Sequence, residues 1–537
     1  MSTHGATSPQ VDNTDRMDGA RSTSPDGEAE MFSASTRTTA DEVTEKQHGP
    51  LPSDAQTRRR SSAAVTMAND VVGGGAGNLR ARSARSSRRG TRETSGSEMP
   101  PLRQRLTDLF VAERPIRKEP TVADSLKAIV FASWLNLLLV FIPVGWALHF
   151  TDQNDTIVFV FTFLAVIPLA KLLGFGTEEL AIRVGQTLGG LMNATLGNAV
   201  ELIVAIIALA KCEIQVVQSS LLGSILSNLL LVLGMCFFAG GVRFSEQGFK
   251  DTAAQLNSSL LVISVIAILL PAGYNAAFAD NQSPEIERDR ILKMSRGISV
   301  ILLVVYLAYL FFQLFTHQHL YAEGPVDPDD PVVREGRPVW GLKNRRAFKE
   351  AKSARRPRQL EEARNGEEEE EETPSLNKWV ALALLVVVTV LVAVTAEFLV
   401  DSINGLTEQH PEISVEWVGL ILLPIVGNAA EHVTAVTVSV HDKIDLSMGV
   451  AVGSSIQIAL FVIPFMTVLG WIMDKPLSLL FDPFESISLF LSVLIVNYTI
   501  SDGRSNWLEG FLLMMVYIIL AVAFWYYPEG GSQAFTC

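Results

Sequence analysis

Two short motifs in this 537-residue chain place a carboxylate and an amide one helical turn apart, inside stretches that are otherwise nearly free of charge. The first reads NATLGNAVELIVAI from Asn193, the second LPIVGNAAEHVTAV from Leu423. Both contain Gly-Asn-Ala-x-Glu: Gly197, Asn198, Ala199 and Glu201 in one, Gly427, Asn428, Ala429 and Glu431 in the other. Asn198 and Glu201 are three residues apart and share one helical face, as do Asn428 and Glu431. An Asp at the centre of a membrane helix costs about 2.5–3.5 kcal/mol on insertion scales, and Glu is expected to be similar. Two glutamates at equal depth also repel, so the arrangement calls for a cation or protons between them. The following segments add Ser224 and Ser227 from GSILSN, and Ser454 and Gln457 from GSSIQI. The donor set is entirely hard oxygen, which suits Ca²⁺, Mg²⁺ or Mn²⁺ rather than Zn²⁺ or Cu⁺. The glycines and Pro424 permit close helix approach and local unwinding, which frees backbone carbonyls as further ligands. A single Asn or Glu of this kind reads equally as hydrogen-bonding glue between helices. A duplicated pair of intramembrane carboxylates reads as function.

The duplication sets the architecture. Glu201 and Glu431 are 230 residues apart, and so are Gly223 and Gly453 in the next segments. A constant offset through two consecutive segments marks an internal repeat. Eleven apolar stretches are long enough to be read as membrane spans, at roughly 125–149, 155–174, 191–210, 219–240, 256–272, 297–315, 378–400, 414–438, 446–469, 484–500 and 508–526. The third and eighth lie five spans apart and therefore cross in opposite directions. The expected fold is an all-α integral membrane protein of about eleven transmembrane helices. It has one leading helix and two inverted five-helix repeats, with a site near the midplane at their interface.

Composition agrees with a membrane protein. Only 19% of residues are charged and 48% are hydrophobic, against about 25% charged in a soluble domain. Most charges fall in residues 1–118 and 316–376, which rules out an ordinary soluble enzyme of this length. Cys212, Cys236 and Cys537 show no pairing pattern. The first 30 residues lack an apolar core, so no secretory signal peptide is expected. Residues 1–118 are rich in Ser, Thr, Arg and Gly, and are expected to be a disordered cytosolic tail. Its Arg runs, such as Arg58, Arg59 and Arg60 before Ser61 and Ser62, lack interleaved aromatic residues. A solvated or phosphorylated tail near anionic lipid fits better than a nucleic-acid arm. Residues 316–376 form a loop ending in Glu367, Glu368, Glu369, Glu370, Glu371 and Glu372. This run reads as a self-repelling linker, or as a field that gathers divalent cations at an entrance. With the tail inside, short cytosolic loops carry Arg183, Arg243, Lys250, Lys443 and Arg504. The opposite loops at 150–154, 401–413 and 527–537 carry no Lys or Arg; the 273–296 loop, with four, runs against this pattern. The balance places the N-terminus in the cytosol.

Several polar residues near the motifs have two readings. His432 follows Glu431, about 100° round the helix, and is either a packed or water-facing histidine or a proton carrier. Glu178 and Glu179 precede the third span, and Glu397 lies late in the seventh. All three are candidate vestibule or gating carboxylates; for Glu178 and Glu179 the other reading is a solvated helix end.

At these residues the sequence resembles a cation/proton exchanger of the calcium/cation antiporter superfamily, and its match to the vacuolar Ca²⁺/H⁺ exchangers of fungi and plants is close. The resemblance covers about residues 120–527 and includes GFGTEELA, GQTLGGLMNATLGNAVELI, GSILSNLLLVLGM, PIVGNAAEH, GSSIQIALFVIP and the acidic run. It implies that Glu201 and Glu431 bind the cation and take up protons, with Asn198, Asn428, Ser224, Ser454 and Gln457 as polar neighbours. It implies Ca²⁺, and Mn²⁺ as an alternative, as cargo, no cofactor, and a vacuolar membrane. Sodium-coupled relatives carry Asn or Asp directly after the Gly-Ser pair; here those positions are Ile225 and Ser455, which argues for H⁺ as the coupling ion. The resulting division is a 1–118 tail, a leading helix and first repeat at 119–315, a 316–376 loop, a second repeat at 377–527 and a short 528–537 tail. The tail is a candidate site for a regulatory kinase. Rival readings are a Na⁺-coupled or K⁺-dependent exchanger, a cation channel, and an intramembrane protease. None of the eight histidines forms the H-E-x-x-H of a zinc protease.

The acidic run is expected to act from outside the site. Replacing Glu367 to Glu372 with Gln should change the apparent cation affinity or the rate of transport without abolishing it. Complete loss in correctly localised protein would overturn that role.

Overall fold

Long apolar runs leave a chain in lipid one economical way to satisfy its backbone, which is the helix. The computed structural model describes residues 119–151, 153–184, 186–278, 283–317, 320–321, 374–528 and 535. The 1–118 tail and the acidic run Glu367 to Glu372 lie outside the described residues, as does most of the 316–376 loop. The regular elements among the described residues are helices apart from one two-residue antiparallel pair, Gln247–Gly248 with Arg504–Ser505. Polar residues cap the apolar runs at their starts. Asn154 accepts the amide of Thr156, Asn377 that of Trp379, and Asp482 those of Phe484 and Glu485. Asn506 and Glu509 close a reciprocal capping box.

Eight of these helices are long and apolar enough to cross a membrane: Asp155–Ala181, Ile214–Arg243, Asp251–Phe278, Pro284–Thr316, Lys378–Gln409, Val415–Val440, Ile444–Ile472 and Trp507–Trp525. The number rises to nine if Val122–Phe131 and Trp134–Phe150, bent by 88°, count as one span. Three of the eleven expected stretches are not single long helices here. The first is bent at Ser133, whose backbone is extended, and Asn136 Nδ2 donates to the freed carbonyls of Ile129 and Val130. The third is split into Gln186–Leu196 and Ala199–Ala210. The tenth is a 17-residue helix, Pro483–Thr499. Apolar length in sequence does not register a break at Gly197 and Asn198.

The element order recurs at the offset of the motifs. Ile214–Leu226 is followed by a π-helical turn at Ser227–Val232 and then Leu233–Arg243. Ile444–Gln457 is followed by a π-helical turn at Ile458–Val462 and then Ile463–Ile472. The starts at Ile214 and Ile444 differ by 230, as do those at Leu233 and Ile463. Widened turns of this kind collect at functional sites.

The core forms where these elements meet. The long helices Asp155–Ala181 and Lys378–Gln409 pack along one another, and Val415–Val440 lies against both Asp155–Ala181 and Ile444–Gln457. In Ile214–Arg243, 83% of the most apolar stretch is buried within the protein, against 22% in Trp507–Trp525. The former is central and the latter peripheral. Cys236 is a buried free thiol within the central helix. Cys212 is disulfide-bonded, contrary to the expectation from cysteine spacing, because connectivity is not deducible from spacing alone.

The central crossing depends on Gly223. A Cβ there would lie 2.7 Å from Leu420 Cα and against the Leu420 carbonyl. Backbone cannot yield as a side chain can, so Gly223→Ala should destabilise the protein by about 1–3 kcal/mol or more through overpacking. The measurement is the thermal midpoint of the purified protein in detergent. An unchanged midpoint would show that the two segments are free to separate.

Candidate functional site

The two halves of the chain build the site by exchanging side chains. The break at Gly197 and Asn198 leaves Asn198 at the start of Ala199–Ala210, with Glu201 in its first turn. Asn198 makes no capping bond to its own helix. Its Nδ2 donates to Gln457 Oε1 at 2.7 Å, and its Oδ1 accepts from Ser454 Oγ at 2.7 Å. The matching Asn428 stands in the continuous helix Leu423–Val440. Its Nδ2 donates to Pro424 O at 3.1 Å and to Ser224 Oγ at 3.4 Å. Each motif asparagine thus reaches the serine that follows the motif of the other half.

The glutamates cross over in the same way. A Cβ on Gly427 would lie 2.8 Å from Glu201 Oε1, and a Cβ on Gly197 would lie 3.7 Å from Glu431 Oε1. Each carboxylate rests over the glycine of the other motif, and no larger residue fits at 427 without displacing Glu201.

The electrostatics are those of a site missing positive charge. Glu201 is 8% exposed, and Glu431 is half-buried. Glu201 Oε1 and Glu431 Oε2 are buried without a hydrogen-bond partner. The charge of Glu201 acts on Glu431. Neither forms an ion pair among the described residues. Burying an ionised carboxylate without compensation is costly, so a cation or protons must supply the balance. Among the described residues no three His, Cys, Asp or Glu side chains gather as a metal cluster. The oxygens on offer are two carboxylates with amides and hydroxyls, a set suited to a hard cation.

Access to the two glutamates differs. Glu431 lines a cavity of about 450 Å³ together with Gly197, Ser454 and Gln457. Glu178, Lys250 and Asp445, at helix ends, mark the side on which this cavity lies. Glu201 instead lines a void of about 20 Å³ with Ser224, Pro424 and Leu423, room for about one water. Val200 and Gly427 line both spaces, so this short stretch of wall separates a wide compartment from a narrow one.

The remaining expected residues fall in four different places. Glu178 lines the large cavity and is exposed there. Glu179 is neither a vestibule carboxylate nor a solvated helix end. It is 4% exposed and accepts the amides of Ser375 at 2.9 Å and Leu376 at 3.1 Å. Arg183 lies 3.6 Å from Glu179 and donates to the Leu376 carbonyl. The two side chains clamp the start of Lys378–Gln409 to the end of Asp155–Ala181. Neighbouring glutamates on a helix point in different directions, which is why one faces the cavity and the other the clamp. Glu397 is exposed, 3.7 Å from Lys211, at the end of Ala199–Ala210 remote from the cavity. It lines neither space. His432 is buried, its Nε2 has no partner, and it too lines neither space.

Three residues escaped the sequence reading. Asn228 Nδ2 donates to Ser454 Oγ at 3.3 Å, and its Oδ1 is buried without a partner. It lies four residues after Ser224, on the same helical face, which was a legible signal. Lys171 and Thr434 line the large cavity and meet at 3.4 Å. Lys171 is the only charged residue between Asp155 and Glu178 in an apolar helix. The rule that singles out intramembrane glutamates applies equally to it.

The sequence model of the sodium/calcium exchanger protein family matches residues 154–315 and 380–526. A vacuolar calcium ion transporter from Cryptococcus neoformans var. grubii is 54% identical over 503 residues, covering 83% of each chain. A Ca²⁺/H⁺ antiporter from Aphanothece halophytica is 42% identical over 392 residues, covering 73% of this chain and 96% of its own. Among solved structures, the Ca²⁺/H⁺ antiporter protein YfkE superposes with a TM-score of 0.55 at 29% identity, covering 73% of this chain and 98% of that one.

A site that lacks positive charge should be stabilised by the ion that supplies it. Ca²⁺ should raise the thermal midpoint of the purified protein, and the rise should vanish in Glu201→Gln and in Glu431→Gln. Both variants keep the shape and one ligand oxygen, so their midpoints without Ca²⁺ should be at least as high as that of the parent. An undiminished Ca²⁺ effect in either variant would remove that glutamate from the site.

Proposed function

We propose that this chain, which belongs to the sodium/calcium exchanger protein family, is a secondary antiporter that moves cytosolic Ca²⁺ across a vacuolar membrane in exchange for protons. The family is one of ion exchangers, not of enzymes. The observation that carries the proposal is the crossed placement of Glu201 over Gly427 and Glu431 over Gly197, with one oxygen of each carboxylate left unpartnered. Two negative charges match one divalent ion or two protons, and cannot hold both loads at once. Mn²⁺ satisfies the same donor set and is the second candidate cargo.

Protons as the coupling ion are supported by the residues after the Gly-Ser pairs. Ile225 is apolar and buried, and Ser455 Oγ donates to Ala451 O in its own helix at 3.0 Å. Neither position offers the site an oxygen for an additional Na⁺. The relatives whose names specify a Ca²⁺/H⁺ antiporter or a vacuolar calcium ion transporter support the same assignment.

The mechanism is alternating access between two inverted five-helix repeats behind a leading helix. Glu431 faces a wide cavity while Glu201 faces a narrow void. Rocking of the repeats would close the first and open the second. With the N-terminus cytosolic, the wide cavity is the cytosolic one. There the ionised pair captures Ca²⁺; on the acidic side, protons displace it.

Sealed vesicles carrying the protein test this directly. An imposed pH gradient, acid inside, should drive uptake of radiolabelled calcium, and a protonophore should collapse it. Because protons and Ca²⁺ compete for the same carboxylates, the apparent Ca²⁺ affinity should fall as pH falls on the side of binding. Uptake that follows a Na⁺ gradient, or an affinity indifferent to pH, would refute the assignment.

A further inference from the structure

We infer that Lys171 is a tethered counter-cation in the cavity, which lowers the affinity of the Glu431 half of the site for divalent cations by electrostatic repulsion. The inference rests on the exchanger reading and assigns a residue that sets how tightly this site holds its cargo.

An ammonium group is out of place in a cation pathway unless its repulsion is of use. Lys171 is half-buried within Asp155–Ala181 and projects into the same cavity as Glu431. Its Nζ lies 3.4 Å from Thr434 Oγ1, three residues and one helical turn beyond Glu431 on the facing helix. Two turns along its own helix stands Glu178, which lines the cavity as well. The Lys171 charge acts on both Glu178 and Glu431. Yet Lys171 forms no ion pair within 4.0 Å among the described residues. The other ionisable groups facing this cavity are Lys250, Asp445, Tyr309 and Tyr321.

The amine is thus near enough for its field to be felt and too far to be locked into a salt bridge. A closed pair would block the site. A tethered charge at some distance partly offsets the carboxylates when no ion is bound, and repels an arriving cation in proportion to that ion's charge. A carrier that must release its cargo each cycle gains from such weakening, because an ion held too tightly is not delivered.

The test is a charge series at one position, read as the KM for Ca²⁺ from the cavity side in sealed vesicles. The same series is read as the midpoint of Ca²⁺-dependent thermal stabilisation of purified protein. Lys171→Arg should behave as the parent. Lys171→Gln should lower KM by roughly three- to tenfold, the effect of one unit charge on a divalent ion across a wet cavity, and Lys171→Glu should lower it further. Thr434→Val removes the hydrogen bond and keeps the charge, and should leave KM unchanged. The inference is overturned if Lys171→Gln lowers only the maximal rate, if Arg and Gln variants behave alike, or if Thr434→Val reproduces the Gln effect. Should any Lys171 variant fail to fold, the remaining pairwise comparisons among Arg, Gln, Glu and the parent still order KM by charge or fail to. Failure of the exchanger reading shows separately, as absence of proton-driven Ca²⁺ uptake by the parent protein.

Discussion

The hydrogen bonds that Asn198 and Asn428 make across the two halves hold the centre of this protein together. Asn198 is tied to Ser454 and Gln457, and Asn428 to Ser224. Because each amide is engaged by the opposite half, the glutamate three residues on is carried over the opposite half's glycine. The small residues at 197 and 427 are therefore part of the electrostatics. They let a carboxylate approach backbone without offering it a partner, and so leave an oxygen for something that arrives from solution.

A duplicated sequence need not give a symmetric structure at any one moment. The first motif sits at a helix break and the second inside a continuous helix. The first glutamate faces a void the size of one water, the second a wide cavity. On the proposed mechanism the two halves trade these conformations. The break at Gly197 and Asn198 and the widened turns at Ser227–Val232, Val418–Leu422 and Ile458–Val462 are the places where helical hydrogen bonding is already irregular, and so where rearrangement costs least.

The helix Asp155–Ala181 connects the site to the loop between the halves. Its inner face carries Lys171 and Glu178 into the cavity, while Glu179 and Arg183 grip residues 375–376 just after the acidic run. Movement of that helix therefore displaces the cavity charges and the loop end together.

Much of this was written in residue types alone. The apolar lengths called for membrane helices because backbone in lipid must bond to itself. The 230-residue offset pointed to a duplication, and the hard-oxygen set around Glu201 and Glu431 pointed to a cation site. Sequence could not say that the third stretch is broken, since Gly and Asn are tolerated within helices as well as at breaks. It treated Glu178 and Glu179 alike and paired them with Glu397, although one lines the cavity, one is a buried clamp and one is at the far surface. Those distinctions depend on which way a side chain points, and a shift of one residue turns it by about 100°. Only the packed helices decided them. The same is true of the crossing of each glutamate to the other half, because contact between residues 230 positions apart is made by tertiary structure and leaves no mark on local pattern.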